Sequence, residues 1–161
     1  MSKMRGKIIG LLVFAVSAVL VTMAVNSWTV NTSTSEAAVQ LTIYRTEQCP
    51  CCKEYEAYLR NSGMPFRSVV VSGVELENVR KKLGVPRELY SCHTASAMQY
   101  FIEGHTPAEA LKKLLEEKPS LKGIAVPGMP PGSPGMGGVK TEPLKIYALK
   151  PDGNIVVWMM S

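Results

Sequence analysis

The chain has 161 residues and a formal net charge of +5, enough length for one domain plus a leader. Lys3, Arg5 and Lys7 supply three of those charges, so the remainder carries only +2, and no basic stripe interleaved with aromatics implies nucleic acid as a partner. The sequence also has no Ser-His-Asp arrangement, no glycine-rich phosphate loop and no paired-carboxylate site, which leaves hydrolase and nucleotide chemistry without support.

Ile8 to Val25 is an apolar run interrupted only by Gly10, Ser17 and Thr22, and no acidic residue precedes Glu36. A positive segment followed by an apolar one is an export signal, and about 18 apolar residues is close to the shortest length that spans a bilayer. No small-x-small cleavage site follows at close range, since Ser35-Glu36-Ala37 lies well downstream. Residues 1–25 are therefore expected to be an uncleaved signal-anchor, a transmembrane helix with its N-terminus on the cytoplasmic side and the domain outside, periplasmic or otherwise extracytoplasmic. A cleaved signal peptide is the alternative. Residues 26–40, rich in Ser, Thr, Asn and Ala, read as a tether, and 41–161 as the exported domain.

Within that domain Leu41 to Arg45 reads as a first strand. The cysteine turn follows, and Lys53 to Asn61 then places Tyr55, Tyr58 and Leu59 on one helical stripe that Gly63 ends. Phe66 to Val71 has a β-branched strand composition. Ser72-Gly73-Val74-Glu75 fits a capping box ahead of a helix carrying Leu76, Val79 and Leu83, which Gly84 closes. Met98 to Ile102 is a short apolar strand or turn. Thr106-Pro107-Ala108-Glu109 fits a second capping box with proline at the first helical position, and Leu111, Leu114 and Leu115 give that helix its buried face before Pro119. Gly123 to Val126 is a short apolar run. Leu144 to Leu149 and Asn154 to Met159 alternate as strands around Pro151-Asp152-Gly153, a hairpin turn. This order of elements is that of a single thioredoxin-like α/β domain behind an N-terminal apolar helix.

Chemistry concentrates in Cys49-Pro50-Cys51-Cys52, between the first strand and the first helix. A C-x-x-C opening a helix after a strand is a thiol redox motif, and the helix N-terminus favours thiolate. A third thiol is superfluous to a simple dithiol and suits a soft metal, because thiolate sulfur prefers Cu(I) and Zn(II). In an exported protein four cysteines could instead form structural disulfides, but their clustering argues against that, since structural bridges close long loops and Cys51–Cys52 would be strained. Cys92, beside His93, can complete a four-thiolate set. The two side chains can serve one site only at a strand end or in a turn, since strand neighbours point to opposite faces. His93 and His105 are the only histidines. The loop from Pro127 to Gly138 holds Met129, Ser133 and Met136 among glycines and prolines. Thioether sulfur there would bind Cu(I) well and Zn(II) poorly.

Four stretches together resemble one family: Cys49-Pro50-Cys51-Cys52, Ser91-Cys92-His93-Thr94-Ala95, Glu103-Gly104-His105-Thr106-Pro107-Ala108, and Ala125-Val126-Pro127-Gly128-Met129-Pro130 with Gly132-Ser133-Pro134-Gly135-Met136. It is the CopG-like family of exported copper-resistance proteins, catalogued as a domain of unknown function, and the resemblance covers about Leu41 to Met159. It implies a thioredoxin-like fold that binds copper through Cys49, Cys51, Cys52 and Cys92, with several ions bridged by sulfur and His93, His105, Met129 and Met136 as added ligands. It also implies a role in copper detoxification by interconversion of Cu(I) and Cu(II). Where family members usually carry Trp and often His after the cysteines, this chain has Tyr55 and Tyr58, and Gly137 stands at a usually acidic position. The expectation is thus an exported copper-binding protein, holding copper ions and exchanging metal or electrons with a partner protein. A thiol–disulfide oxidoreductase using Cys49 and Cys52 is the alternative reading, and a structural zinc site of four cysteines is a third.

Overall fold

The computed structural model describes residues 41–161, a mixed α/β domain built on a seven-stranded sheet. Strand β1 (Leu41–Arg45) leads through helix α1 (Pro50–Asn61) to β2 (Phe66–Val70), which lies parallel to it. Helix α2 (Gly73–Leu83) and a single 3-10 turn (Arg87–Leu89) come next. Then β3 (Thr94–Ala97) and β4 (Tyr100–Glu103) form a tight hairpin, with β3 antiparallel to β1. Helix α3 (Ala108–Glu117) crosses over to β5 (Gly123–Ala125), parallel to β4, and β6 (Lys145–Leu149) and β7 (Ile155–Met160) complete the sheet as an antiparallel hairpin. The spatial order is β2-β1-β3-β4-β5-β6-β7.

Alternation along the strands sorts the apolar residues between two faces. Ile102, Ile124 and Ala148 join Leu41, Ile43, Tyr55, Leu59, Leu111 and Leu114 in the main core, beneath α1 and α3. Their chain neighbours Phe101, Ala125 and Leu149 face the other way, against Val85 and Leu89 that follow α2. The helix-period stripe and the strand-period alternation thus agree on one sandwich of helices around a sheet.

Most elements lie where the periodicity places them, with differences that have local causes. The capping box at Ser72 is formed in full: Glu75 N–H donates to Ser72 Oγ at 3.2 Å and Ser72 N–H donates to Glu75 Oε2 at 2.8 Å. The one expected at Thr106 is not. Pro107 holds the N-cap position, no side chain of the segment caps the helix, and Thr106 Oγ1 is buried without a partner. The cap comes from elsewhere, because Ala108 N–H donates to Tyr58 Oη of α1 at 2.9 Å. Strand β3 carries no strand signal of its own, while β4 falls in the Met98 to Ile102 stretch expected as a short apolar strand or turn and β5 in the apolar run Gly123 to Val126, since three or four residues show no period. Among the described residues no helix is long and apolar enough to cross a membrane. The signal-anchor and tether expected over residues 1–40 lie outside the described residues.

This exchange of caps sets a pair of expected outcomes. Tyr58→Phe leaves the Ala108 N–H without its acceptor and lowers unfolding stability by about 1 kcal/mol. Thr106→Val removes only a hydroxyl that already lacks a partner, so it is neutral or slightly stabilising. Urea denaturation of the two variants checks both, and a loss at Thr106 with none at Tyr58 would restore the capping box.

Candidate metal centre

The cysteine turn is placed by the start of α1. Cys49 is the N-cap and Pro50 the first helical residue, so Cys51 and Cys52 occupy the first turn, where main-chain N–H groups lack helical acceptors. The Cys49 side chain accepts no cap hydrogen bond. Cys49 and Cys52 are joined by a disulfide, while Cys51 and Cys92 are free and half-buried. Cys51 Sγ lies 3.5 Å from Cys49 Sγ. Cys52 Sγ lies 4.0 Å from the Cys92 carbonyl oxygen, a contact rather than a hydrogen bond because a bridged sulfur has no proton. The sulfurs of Cys49, Cys51, Cys52 and Cys92 all fall within 4.8 Å of one another. Donor atoms of Cys52, Cys92, His93 and His105 form a second such set.

Cys92 and His93 sit in the turn that enters β3, and this position lets both face one site. Cys92 Sγ is 3.0 Å from His105 Nε2 and 3.4 Å from His93 Nδ1. His105 Nδ1 is 2.6 Å from the Pro134 carbonyl oxygen. A carbonyl can only accept, so Nδ1 carries the proton and Nε2 turns its lone pair toward Cys92. Metal-binding histidines are commonly held this way, one nitrogen anchored on a carbonyl and the other facing the ion. His93 is wholly buried and its Nε2 has no partner among the described residues. Burial, helped by the neighbouring His105, lowers its pKa to about 3, so its ring is neutral and free to donate a lone pair. Burial lowers His105 as well, against the pull of the Pro134 carbonyl. The Cys92 thiol is pushed up to about 12, first by burial and then by the charge of Cys51 nearby, so without a cation it stays protonated.

Tyr55 walls the histidines. Its ring centroid is 4.9 Å from each imidazole, the imidazoles are 5.3 Å apart, and its hydroxyl donates to the Thr106 carbonyl at 2.6 Å. Burial raises that hydroxyl well above its ordinary pKa, which keeps it a neutral donor. Met129 and Met136 are half-buried on the loop that also carries Pro134. The loop presses on α1: Gly135 has φ of +72°, and a Cβ there would come within 2.5 Å of the Tyr55 amide nitrogen.

Several residues that shape the site are not among the site residues expected from the sequence. Glu103 is fully buried and accepts from Arg80 Nη2 at 2.8 Å, Arg80 Nε at 3.1 Å, the Ser91 N–H at 2.8 Å and the Thr94 hydroxyl. Arg80 Nη2 also donates to the Ser91 carbonyl at 2.6 Å. Ser91 and Thr94 flank Cys92-His93, so this network brackets the turn. On the cysteine side, Glu56 of α1 accepts from Arg45 Nε and from Ser68 Oγ, each at 2.6 Å. The available hints are that Arg80 follows Leu76 by four residues on the buried face of α2, and that Glu103 ends the apolar run Tyr100-Phe101-Ile102 and opens the Glu103-Gly104-His105-Thr106-Pro107-Ala108 stretch.

The fold and the cluster define an α/β domain with a cysteine–histidine group suited to binding metal. The family model described as "Protein of unknown function, DUF411" matches residues 89–136. Two solved structures named copper resistance protein CopG, Form 2 and Form 1, are 35% and 34% identical, each with a TM-score of 0.69. The matches cover 76% and 77% of this chain and 98% of each of those chains. No match is found among curated protein sequences. The chain belongs to the CopG-like DUF411 family.

The buried histidines set a pH dependence for the metal-free chain. The folded pKa of His93 lies below its unfolded value near 6.5, so its contribution to stability is full above 6.5 and is lost as pH falls toward about 3. Cys92 acts at the other end. Its folded pKa lies above the ordinary 9.0, so stability is lost as pH rises from there toward about 12. Denaturation of metal-free chain between pH 7 and 4 is expected to show falling stability, with His93 contributing up to about 1.4 kcal/mol per pH unit. His93→Asn flattens that slope; an unchanged slope would show that His93 is not the group that resists protonation.

Proposed function

We propose that this chain is an extracytoplasmic copper-binding protein of copper resistance, holding Cu(I) on Cys49, Cys51, Cys52 and Cys92. His93, His105, Met129 and Met136 lend further ligands. The observation that carries this reading is the convergence of four cysteine sulfurs within 4.8 Å at a helix N-terminus, with Cys92 also touching two buried histidines. Thiolate and thioether donors favour Cu(I) over harder ions, and a shared sulfur can bridge more than one of them. The name of the solved relatives, copper resistance protein, supports copper as the metal over zinc. In this reading the unit from β1 to α3 is thioredoxin-like, supported by the order β2-β1-β3-β4 with β1 and β2 parallel, and β5 to β7 extend it. Residues 1–25 anchor or export the domain. Copper cycling between Cu(I) and Cu(II), and handover to a partner protein, complete the role. The disulfide between Cys49 and Cys52 favours a second reading, thiol–disulfide exchange by that pair.

Anaerobic titration of Cu(I) into the reduced full chain separates the two readings. The copper reading expects more than one copper per chain by elemental analysis, with free thiols falling from four to none. One copper or none, with ready return of the Cys49–Cys52 disulfide, would favour the exchange reading. Cys51→Ser is expected to abolish binding of several coppers while sparing the Cys49–Cys52 dithiol. Met129→Ala is expected to weaken Cu(I) by roughly tenfold and to leave Zn(II) nearly unchanged. Full copper stoichiometry and affinity in both variants would sink the cluster.

A further inference from the structure

Both four-donor sets include Cys52, and Cys52 is tied up in the disulfide. Neither set is complete until that bond opens. Yet the bond is poorly placed for attack from outside: Cys49 is only 6% exposed and Cys52 is 0% exposed. Thiol–disulfide exchange requires an attacking thiolate to reach one of the two sulfurs. Cys51, by contrast, is free, half-buried, and has its sulfur 3.5 Å from Cys49 Sγ. It sits in the first turn of α1, one residue from Cys52 and two from Cys49.

We propose that Cys51 is the relay thiol through which an external thiol reductant opens the Cys49–Cys52 disulfide, so that completion of the metal site is controlled by thiol–disulfide exchange. This rests on the reading of the cysteine cluster as a metal site. In the first step the Cys51 thiolate attacks Cys49 Sγ. The Cys49–Cys51 bond forms, the Cys49–Cys52 bond breaks, and the electron pair leaves on Cys52, which can take up the proton Cys51 gave away. A bridge across one intervening residue is tight and correspondingly labile. In the second step an external thiolate attacks the accessible Cys51 sulfur and releases Cys49. In the third a second external thiol attacks the outer sulfur of that mixed disulfide and frees Cys51. Two electrons and two protons pass from two external thiols, which leave as their disulfide, to the protein, which ends with four free cysteines. Cys92 is the competing candidate, since its sulfur also lies within 4.8 Å of Cys52.

The test uses metal-free, oxidised full chain and reduced glutathione, with samples alkylated at intervals and the open pair counted by mass spectrometry. Cys51→Ser is expected to slow opening about tenfold or more relative to the unmodified chain, and Cys92→Ser to leave the rate unchanged. In denaturant, where burial is gone, all three should react alike. The trapped glutathione adduct of the unmodified chain should map to Cys51, a measurement that needs no variant to fold. Opening of Cys51→Ser at the unmodified rate, a slowing confined to Cys92→Ser, or an adduct on Cys49 would each overturn the relay. No metal is present, so failure of copper binding in the reduced chain would count against the metal reading and leave this result standing.

Discussion

The carboxylate of Glu103, buried and bound to Arg80, fixes the half of the site that is remote from the cysteine turn in sequence. Arg80 is always charged, so a neutral Glu103 would leave it uncompensated in the interior; the pair is ionised although burial alone pushes the carboxyl upward. A buried ion pair is a poor source of stability, because desolvation offsets most of the attraction, but it is demanding in geometry. Here the geometry is the product. Glu103 binds Ser91 N–H and Thr94 Oγ1, and Arg80 binds the Ser91 carbonyl, so the residues on both sides of Cys92-His93 are fixed to the end of β4. One residue beyond that end, Gly104 has φ of +74° and a Cβ there would strike Val126 O and Ser91 Oγ, so the chain can turn His105 back toward Cys92 only with glycine at this point.

The cysteine half is held by a smaller version of the same device. Glu56 ties α1 to β1 through Arg45 and to β2 through Ser68. The glycine- and proline-rich loop is the third wall: Gly135 meets the backbone of α1 while Pro134 meets His105. Prolines lower the entropy lost in ordering such a loop. The loop is therefore more than a carrier of methionines. It orients the imidazole that faces Cys92, and it does so with a main-chain carbonyl, which any residue type at that position would also supply.

The parts legible in the sequence are those in which one residue type at one spacing has one physical meaning. Three thiols in four residues after a strand, the Ser72 capping box and the Leu111/Leu114 stripe all fall where their local chemistry puts them. What was not legible depends on contacts between distant segments. Thr106 has the residue pattern of a cap, yet Pro107 takes the N-cap position and the cap arrives from Tyr58, fifty residues earlier in the chain. No spacing rule links Arg80 to Glu103, or His105 to a carbonyl 29 residues on. Four motifs in a fixed order carried the family where no single one would, while the roles of Tyr55 and Tyr58 emerge only from packing. Tyr55 lies against both imidazoles, and Tyr58 spends its hydroxyl on α3.

A metal held by this cluster would compete with the disulfide for the same sulfurs, so redox state and metal binding are linked by mass action. An ion that needs Cys52 binds the open dithiol and not the bridge, so it stabilises the open form by RT ln(1 + [M]/Kd). At a hundredfold excess over Kd that is about 2.7 kcal/mol, or roughly 60 mV in the midpoint of a two-electron thiol couple. The linkage is reciprocal. An oxidising environment weakens metal retention by the same free energy, and tight metal binding protects the cysteines from oxidation. Because Cys52 is the residue with no exposed surface while Cys51 is half-buried beside Cys49, the equilibrium is set at the buried sulfur and the rate at the more accessible one. In the proposed relay the vicinal pair places a buried sulfur that the metal site needs, Cys52, beside a more exposed one, Cys51, through which the bridge opens. That gives the third thiol of the turn a use that neither a simple dithiol nor a fixed four-ligand site requires.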